Sequence, residues 1–299
     1  MAKHISLTVL FEGSNLNYGE GFGNIQSLKK MSNKGKNYSY ISRQALRYDI
    51  VRIMNEEFAM DLTPIGKDGK VIQFEKDASI KDYPEIDLFG YMKTGSNANK
   101  GNQEIRKAVA RLTDAVSIEP YNNDMDFGNN MGLAKRKEGE DNGLFQSEIH
   151  KAFYSYTVTI DLNKVGVDDN DNSNLPNAEK ETRIKTLLDS IKILYRDIKG
   201  KRENLAPCFV IGGIFESGNP FFYNRVTLDF QKDKILLNTK IINDILKTSI
   251  KEKEIKESTY VGYIDGLFSN IDELEIETKV TVEDFFRELK EQISEALKG

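Results

Sequence analysis

Apolar and polar residues alternate at the start of the chain: Ile5, Leu7, Val9 and Phe11 are interleaved with Ser6, Thr8 and Leu10, and Glu12 follows. A period of two predicts a half-buried strand. From Gly13 to Lys36 the period is lost, and "GSNLNYGEGFGNIQSLKKMSNKGK" reads as a glycine- and asparagine-rich loop that ends basic. Next, "SRQALRYDIVRIMNEEF" carries Leu46, Ile50, Ile53 and Met54 at helical spacing, with Ser42 as N-cap. "IGKDGKVIQF" reads as a hairpin turned at Asp68-Gly69. "PEIDLFGYMKTGSNANKGNQ" passes from an apolar segment into a second glycine- and asparagine-rich loop.

Residues 105–121 fit a helix or a strand, whereas 122–147 hold no period and read as a long projecting loop or ribbon. "AFYSYTVTIDL" alternates as a strand. "AEKETRIKTLLDSIKILYRDIKG" predicts a helix with Ile184, Leu187, Leu188, Ile191, Leu194 and Tyr195 on one side, stopped by Gly200. "PCFVIGGIF" predicts a buried strand that runs into a glycine loop. The tail "VTVEDFFRELKEQISEALKG" is amphipathic along Phe285, Leu289 and Ile293, and Thr281 with Asp284 nearly makes a capping box. That helix either docks on the core or meets a partner. The order of elements suits an α+β, ferredoxin-like sheet with helices on one face and the other face available. No repeat or linker divides the chain, which reads as one elaborated domain over 1–299.

Composition narrows the class. With 39% hydrophobic and 30% charged residues the chain can build a globular core, and no apolar run is long enough to span a membrane. The opening lacks a signal-peptide pattern, and the single cysteine, Cys208, leaves no internal disulfide, so a reducing cytoplasm is expected. The net charge of −5 argues weakly against a nucleic-acid binder until its distribution is seen. Residues 1–52 hold eight basic against three acidic side chains, and 251–299 hold seven against thirteen. A basic end can face phosphate while an acidic end keeps the protein soluble.

Candidate chemistry is sparse. Two histidines, His4 and His150, with one cysteine are too few for a zinc site and read as structural. "GEGFGN" fails as a dinucleotide fingerprint because Asn24 stands at its last position and no helix opens there. "DDNDNSNLPNAE" has calcium-loop oxygens, but Ser173 replaces the needed glycine, so it reads as a solvated acidic turn. "SRQALR" is more informative: Arg43 and Arg47 share a helical face beside a helix N-terminus. Ser42, Arg43, Gln44 and Arg47 could take a phosphate, or the arginines could pair with acids such as Asp49. "AKRKEGE", with Lys135 and Arg136, suits solvated charge, but Met125, Phe127, Met131 and Leu133 nearby need something apolar to meet, and a base is one candidate.

Four segments in order resemble the DevR-type RAMP proteins, the backbone of the CRISPR Cascade complex, most like type I-B. They are "LTVLFEGSNLNYG", "YSYISRQALRYDIVR", "EIDLFGYM" and "IHKAFYSYTVTIDLNKVG", followed by "GGIF" and its glycine loop. The resemblance covers the N-terminus to about residue 230. It implies an RRM-like palm with inserted loops, copies stacked along a CRISPR RNA, and a thumb-like β-ribbon at 122–147. Asn15, Asn17, Lys29 and Lys30 would follow the RNA backbone, and Ser42, Arg43, Gln44 and Arg47 would hold phosphates. Met131 would wedge a kink, with Lys135 and Arg136 beside it. Partners implied are CRISPR RNA, neighbouring copies, other Cascade subunits and target DNA through the guide, with no cofactor, no metal and no catalysis. Two rivals remain: a type III backbone endoribonuclease using Asp124 or Asp126, and a small-ligand enzyme whose glycine loops hold a nucleotide.

Overall fold

The alternation at the start of the chain becomes the strand His4–Gly13. In the computed structural model, which describes residues 3–68, 71–94, 103–129, 131–136 and 143–298, this strand lies antiparallel between Ala152–Asp161 and Phe209–Phe215. Val9 stands opposite Tyr156 on one side and Val210 on the other. Among the described residues the sheet has nine strands. From one edge it runs Lys279–Thr281, Tyr260–Tyr263, Phe209–Phe215, His4–Gly13, Ala152–Asp161, Ala115–Ser117, Lys36–Ile41 and Lys30–Asn33. Ala110–Leu112 also pairs with Ala152–Asp161. Residues 105–121, open between helix and strand in the sequence, are therefore extended.

Among the described residues six α-helices accompany it: α1 (Arg43–Glu56), α2 (Pro84–Phe89), α3 (Met131–Ala134), α4 (Asn177–Lys192), α5 (Thr239–Leu246) and α6 (Val282–Lys298). The strand period puts Ile5, Leu7, Val9 and Phe11 on one face, where they join Ile50 of α1, Leu188 of α4 and Phe286 of α6 in one buried cluster. Each such fully buried side chain contributes about 1.5–3 kcal/mol. The C-terminal helix is thus docked on the core. Its cap forms as expected: Thr281 Oγ1 accepts the Asp284 N–H at 3.1 Å and donates to the Asp284 carboxylate at 2.7 Å.

The opposite face is not free, which corrects the expectation. Leu10, Phe153, Phe209, Ile211 and Phe215 are covered by Phe222, Val226, Ile242, Leu246 and Phe268 in a second cluster. The run "FVIGGIF" is apolar at odd and even positions because it is buried on both faces. Its glycines follow from the same crowding. A Cβ on Gly212, at φ +153°, would strike the Ser6 carbonyl oxygen, and one on Gly213 would strike that of Ser258.

A second, four-stranded sheet runs Asp124–Asn129, Leu144–Ile149, Ile25–Leu28 and Tyr18–Phe22. Most of the stretch read as an irregular loop is therefore β-structure. Gly19 and Gly21 remove the side chains that would have displayed the alternation. Phe22 pairs with Ile25 across a Gly23-Asn24 turn in which Gly23 takes φ +57°. Asn33 pairs with Lys36 across Lys34-Gly35, both at positive φ, the geometry of a tight hairpin.

Further local expectations shift. Helix α4 ends at Lys192, and Gly200, at φ +74°, turns the hairpin Tyr195–Ile198 to Lys201–Asn204 instead of stopping the helix. Ile65–Asp68 pairs with Val71–Phe74 as expected, its turn at 69–70 lying outside the described residues, as does the loop 95–102. Asp168 is buried and accepts the Tyr91 hydroxyl at 2.8 Å, so "DDNDNSNLPNAE" opens as a bound hairpin rather than a solvated turn. His150 is buried with Nδ1 2.7 Å from the Ser39 hydroxyl, a structural role. Among the described residues no helix is long and apolar enough to cross a membrane.

Candidate nucleic-acid interface

The site grows from the N-terminus of α1. Ser42 caps the helix as its spacing predicts, its Oγ accepting the Ala45 N–H at 3.4 Å. The Asp114 carboxylate accepts the Arg43 N–H at 2.6 Å. Two of the backbone donors that could have met a phosphate are therefore already occupied, and an arriving anion would depend chiefly on side chains. Arg43 and Gln44 are exposed, and among the described residues no carboxylate pairs with the Arg43 guanidinium. Arg47 differs: it bonds Glu85 at 3.0 Å and lies 5.1 Å over the Phe89 ring. Asp49, the acid suggested by the sequence, is instead buried against Arg196 and Arg52. Its pKa is raised by burial, against the pull of both arginines.

The other candidates separate into two groups. Lys29 lines the same surface as Arg43. Lys30, its neighbour on the chain, does not join it there. Its ammonium sits 2.6 Å from Glu148 and 4.5 Å over the Tyr121 ring, where its charge is spent. Asn15 and Asn17 are buried at 9% and 6% exposure, so neither lies open for a ligand, contrary to the expectation. Asn17 accepts the Lys29 N–H at 2.8 Å through its carbonyl and donates to Ser42 Oγ at 3.3 Å. It acts on the site by bracing Ser42. Asn15 takes φ +56°, and its Oδ1 has no partner among the described residues.

Met131, Lys135 and Arg136 lie elsewhere, on and just after α3, at the end of the hairpin formed by Asp124–Asn129 and Leu144–Ile149. All three are exposed. Phe127, Leu144 and Phe145 add exposed apolar surface to the same ribbon. The side chain of Leu133 and residues 137–142 lie outside the described residues. Asp126 and Glu148 act on Tyr18, whose phenol is pushed up to about 12 by burial first and by these charges second.

Around Arg43 three hollows lie in succession, each sharing wall residues with the next, and together they outline a furrow. One of about 150 Å3 is lined by Arg43, Gln44, Arg47 and Arg111. The next, about 460 Å3, shares Arg43 and Gln44 and adds Lys29, Ser42, Thr113, Asp114 and Tyr223. The third, about 430 Å3, shares Asp114 and Tyr223 and adds Lys34, Tyr38 and Arg225. Among the described residues six basic side chains thus line the furrow against one carboxylate, Asp114, in a chain of net charge −5. Such a track attracts and guides a polyanion. Arg111 and Arg225 were missed in the sequence. The apolar–polar–apolar order of Ala110, Arg111 and Leu112 could have exposed the first, whereas Arg225 comes to the hollow next to that of Arg43 only through the tertiary fold.

Comparisons with known proteins bear on the family and the fold. A Myxococcus xanthus (strain DK1622) protein named CRISPR-associated protein Cas7/Cst2/DevR is 27% identical over 157 residues, 48% of this chain and 52% of that protein. The match therefore spans about half the length of that curated relative. Two solved chains share the fold at low identity. One, from a structure titled "CRISPR RNA-guided surveillance complex, pre-nicking", has a TM-score of 0.65 at 9% identity, covering 97% of this chain and 100% of that one. Another, titled "CRISPR RNA-guided surveillance complex", has a TM-score of 0.61 at 10% identity, covering 98% and 99%. Residues 5–235, from the first sheet strand through the furrow to Arg225, match the family described as CRISPR-associated negative auto-regulator DevR/Csa2. The chain belongs to the DevR/Csa2 family of CRISPR-associated proteins.

Proposed function

We propose that this protein binds CRISPR RNA, without reading its sequence, as the repeating backbone subunit of a type I Cascade surveillance complex, most like type I-B. The observation that carries the reading is the furrow, where the exposed Arg43 lies beside Lys29 and Arg111, in a chain of this family. Guanidinium and ammonium groups grip phosphate whatever the base, so affinity would be general and salt-sensitive. Base pairing between guide and target would supply the specificity.

In this reading the strand–helix–strand–strand–helix–strand core is an RRM-like palm. Its strands are His4–Gly13, Ala110–Leu112 with Ala115–Ser117, Ala152–Asp161 and Phe209–Phe215, and its helices are α1 and α4. The hairpin Asp124–Asn129 to Leu144–Ile149 is the thumb, and exposed Met131 is the candidate wedge between bases. Neighbouring copies, other Cascade subunits and target DNA paired to the guide are the partners. The chain carries out no cleavage itself. Metal-dependent cuts in target RNA, lost on Asp124→Ala or Asp126→Ala, would favour a type III nuclease instead.

The test is to purify the protein from its host and sequence the RNA that comes with it. Repeat-flanked guides of unrelated spacer sequence are the expected outcome. A chain that carries no RNA, or only ribosomal and transfer RNA fragments, overturns the reading.

A further inference from the structure

We infer that the hairpin Tyr195–Ile198 to Lys201–Asn204 is a strut that sets the ribbon against the furrow, with Lys199 at its tip as a positioning residue, an inference that rests on the RNA-binding reading above. The base of the hairpin is anchored to the body. Arg196 pairs with the buried Asp49 of α1 and donates to the Leu16 carbonyl at 2.7 Å. Arg52 of α1 lies over the Tyr195 ring at 4.5 Å. Glu203 accepts the Ser14 N–H at 3.3 Å and its hydroxyl at 3.2 Å. The hairpin is thus tied to the same helix whose N-terminus carries Arg43.

Its tip meets the root of the ribbon. Lys199, at φ +50°, donates from its ammonium to Ser147 Oγ at 2.5 Å and lies over the Tyr18 ring at 3.6 Å. The residue as a whole is exposed, yet desolvation of the ammonium lowers its pKa, against the pull of Asp126. Ser147 and Glu148, adjacent on one strand, point to opposite faces of the second sheet. On the face away from Lys199, Glu148 accepts the Leu28 N–H at 2.7 Å and pairs with Lys30. The ribbon's parallel pairing with Ile25–Leu28 extends only over Gln146 and Ser147. Side chains on both faces therefore complete a joint that two pairs of residues leave short.

Orientation at the root decides position at the tip. Ser147 stands about 10 Å along the strand from Leu144, where the pairing with Asn129 ends. A tilt of about 10° at the root would displace that end by about 2 Å, and Met131, Lys135 and Arg136 lie beyond it. Such a shift exceeds what a hydrogen bond to phosphate tolerates. Lys199 itself lines none of the three hollows. It acts on RNA through the ribbon, by holding the ribbon's cations at a fixed place relative to Arg43.

The test has two arms on the purified chain. In the first, spin labels on Leu144→Cys in the ribbon and Lys240→Cys on α5, both exposed positions, report one distance; the native Cys208 is buried. A single narrow distance is expected for the otherwise native chain. Lys199→Met should broaden or shift it, and Lys199→Arg should restore it. Ser147→Ala, which leaves the lysine in place, should act as Lys199→Met does and carries the test should that variant fail to fold. In the second arm, Lys199→Met is expected to weaken binding of a mixed-sequence single-stranded RNA about fivefold, as for coupled residues. Combined with Lys135→Ala and Arg136→Ala it should add less than about twofold, whereas with Arg43→Ala the full loss should remain. An unchanged distance in both Lys199→Met and Ser147→Ala overturns the strut. A loss that adds in full to that of the ribbon variants overturns the positioning role and makes Lys199 a direct contact. A wild-type chain that binds no RNA overturns the RNA reading, and the distance arm still decides the strut.

Discussion

Arg43 and Arg47 look equivalent along the chain, four residues apart on one helix, yet they differ in what is left to offer a ligand. Arg43 has an exposed guanidinium with no carboxylate partner among the described residues, whereas Arg47 is tied to Glu85 and packed over Phe89. Arg43→Ala is therefore expected to weaken RNA binding equally across sequences, by about 1 kcal/mol or more, as for a charge-assisted contact. Arg47→Ala should act less on binding, and its half-exposed ion pair should cost at most about 1 kcal/mol in stability. Filter binding with several unrelated RNAs and a thermal melt would separate the two effects, and loss for one sequence alone would contradict the phosphate role. His150 gives a second residue-scale expectation. Burial between Ser39, Tyr121 and Tyr154 lowers its pKa below 6.5, despite the opposing pull of the Pro120 carbonyl and Asp124. Below pH 6.5 the unfolded chain binds a proton that the folded chain resists, so stability falls as pH falls. His150→Gln should flatten the drop in Tm between pH 7 and 5 relative to wild type.

Individual elements are held by contacts that the chain order conceals. Helix α2 brings Asp87 to complete burial, where its carboxylate meets Arg106, Arg183 Nη1 at 3.0 Å and the Gly166 N–H at 2.9 Å. Arg183 of α4 also reaches the carbonyls of Ile80 and Lys81. The cluster ties the segment that follows α1 to the helical face of the sheet. Asp87→Ala leaves two buried guanidiniums without their shared carboxylate and should destabilise the protein by about 3–5 kcal/mol in denaturant melts. Asp87→Asn, which keeps an acceptor for Gly166, should cost less. Strands with clean alternation, His4–Gly13 and Ala152–Asp161, were legible from their residues, as were the α1 cap and the apolar stripe of α6. The second sheet was not, because Gly19, Gly21 and Gly23 leave no side-chain pattern and its two hairpins are joined by a pairing between segments more than a hundred residues apart. The end of α4 was misplaced for a related reason. Leu194 and Tyr195 continue the apolar series, but the Lys199-Gly200 turn folds Tyr195–Ile198 into a hairpin.

At the scale of the whole molecule, a net negative protein carries a positive furrow, so electrostatics should direct a polyanion to one track and repel it elsewhere. The logarithm of RNA affinity is expected to fall linearly with that of salt concentration, with each cation removed from the furrow lowering the slope by about 0.7 for a single strand. Measuring that slope for Arg43→Ala, Arg111→Ala and Lys30→Ala tests the assignment. The first two should lower it, and Lys30→Ala should not, because its charge is held by Glu148. The residues themselves determined the central strands, the capped first helix, the basic N-terminal part and the family, since periodicity, capping and ordered motifs are local properties. Only the tertiary structure decided which cations share a surface: the fold brings Arg43 into one hollow with Arg111 and into the next with Lys29, while strand alternation and a distant glutamate take Lys30 away. Charge acts through space, and distance through space is what folding sets.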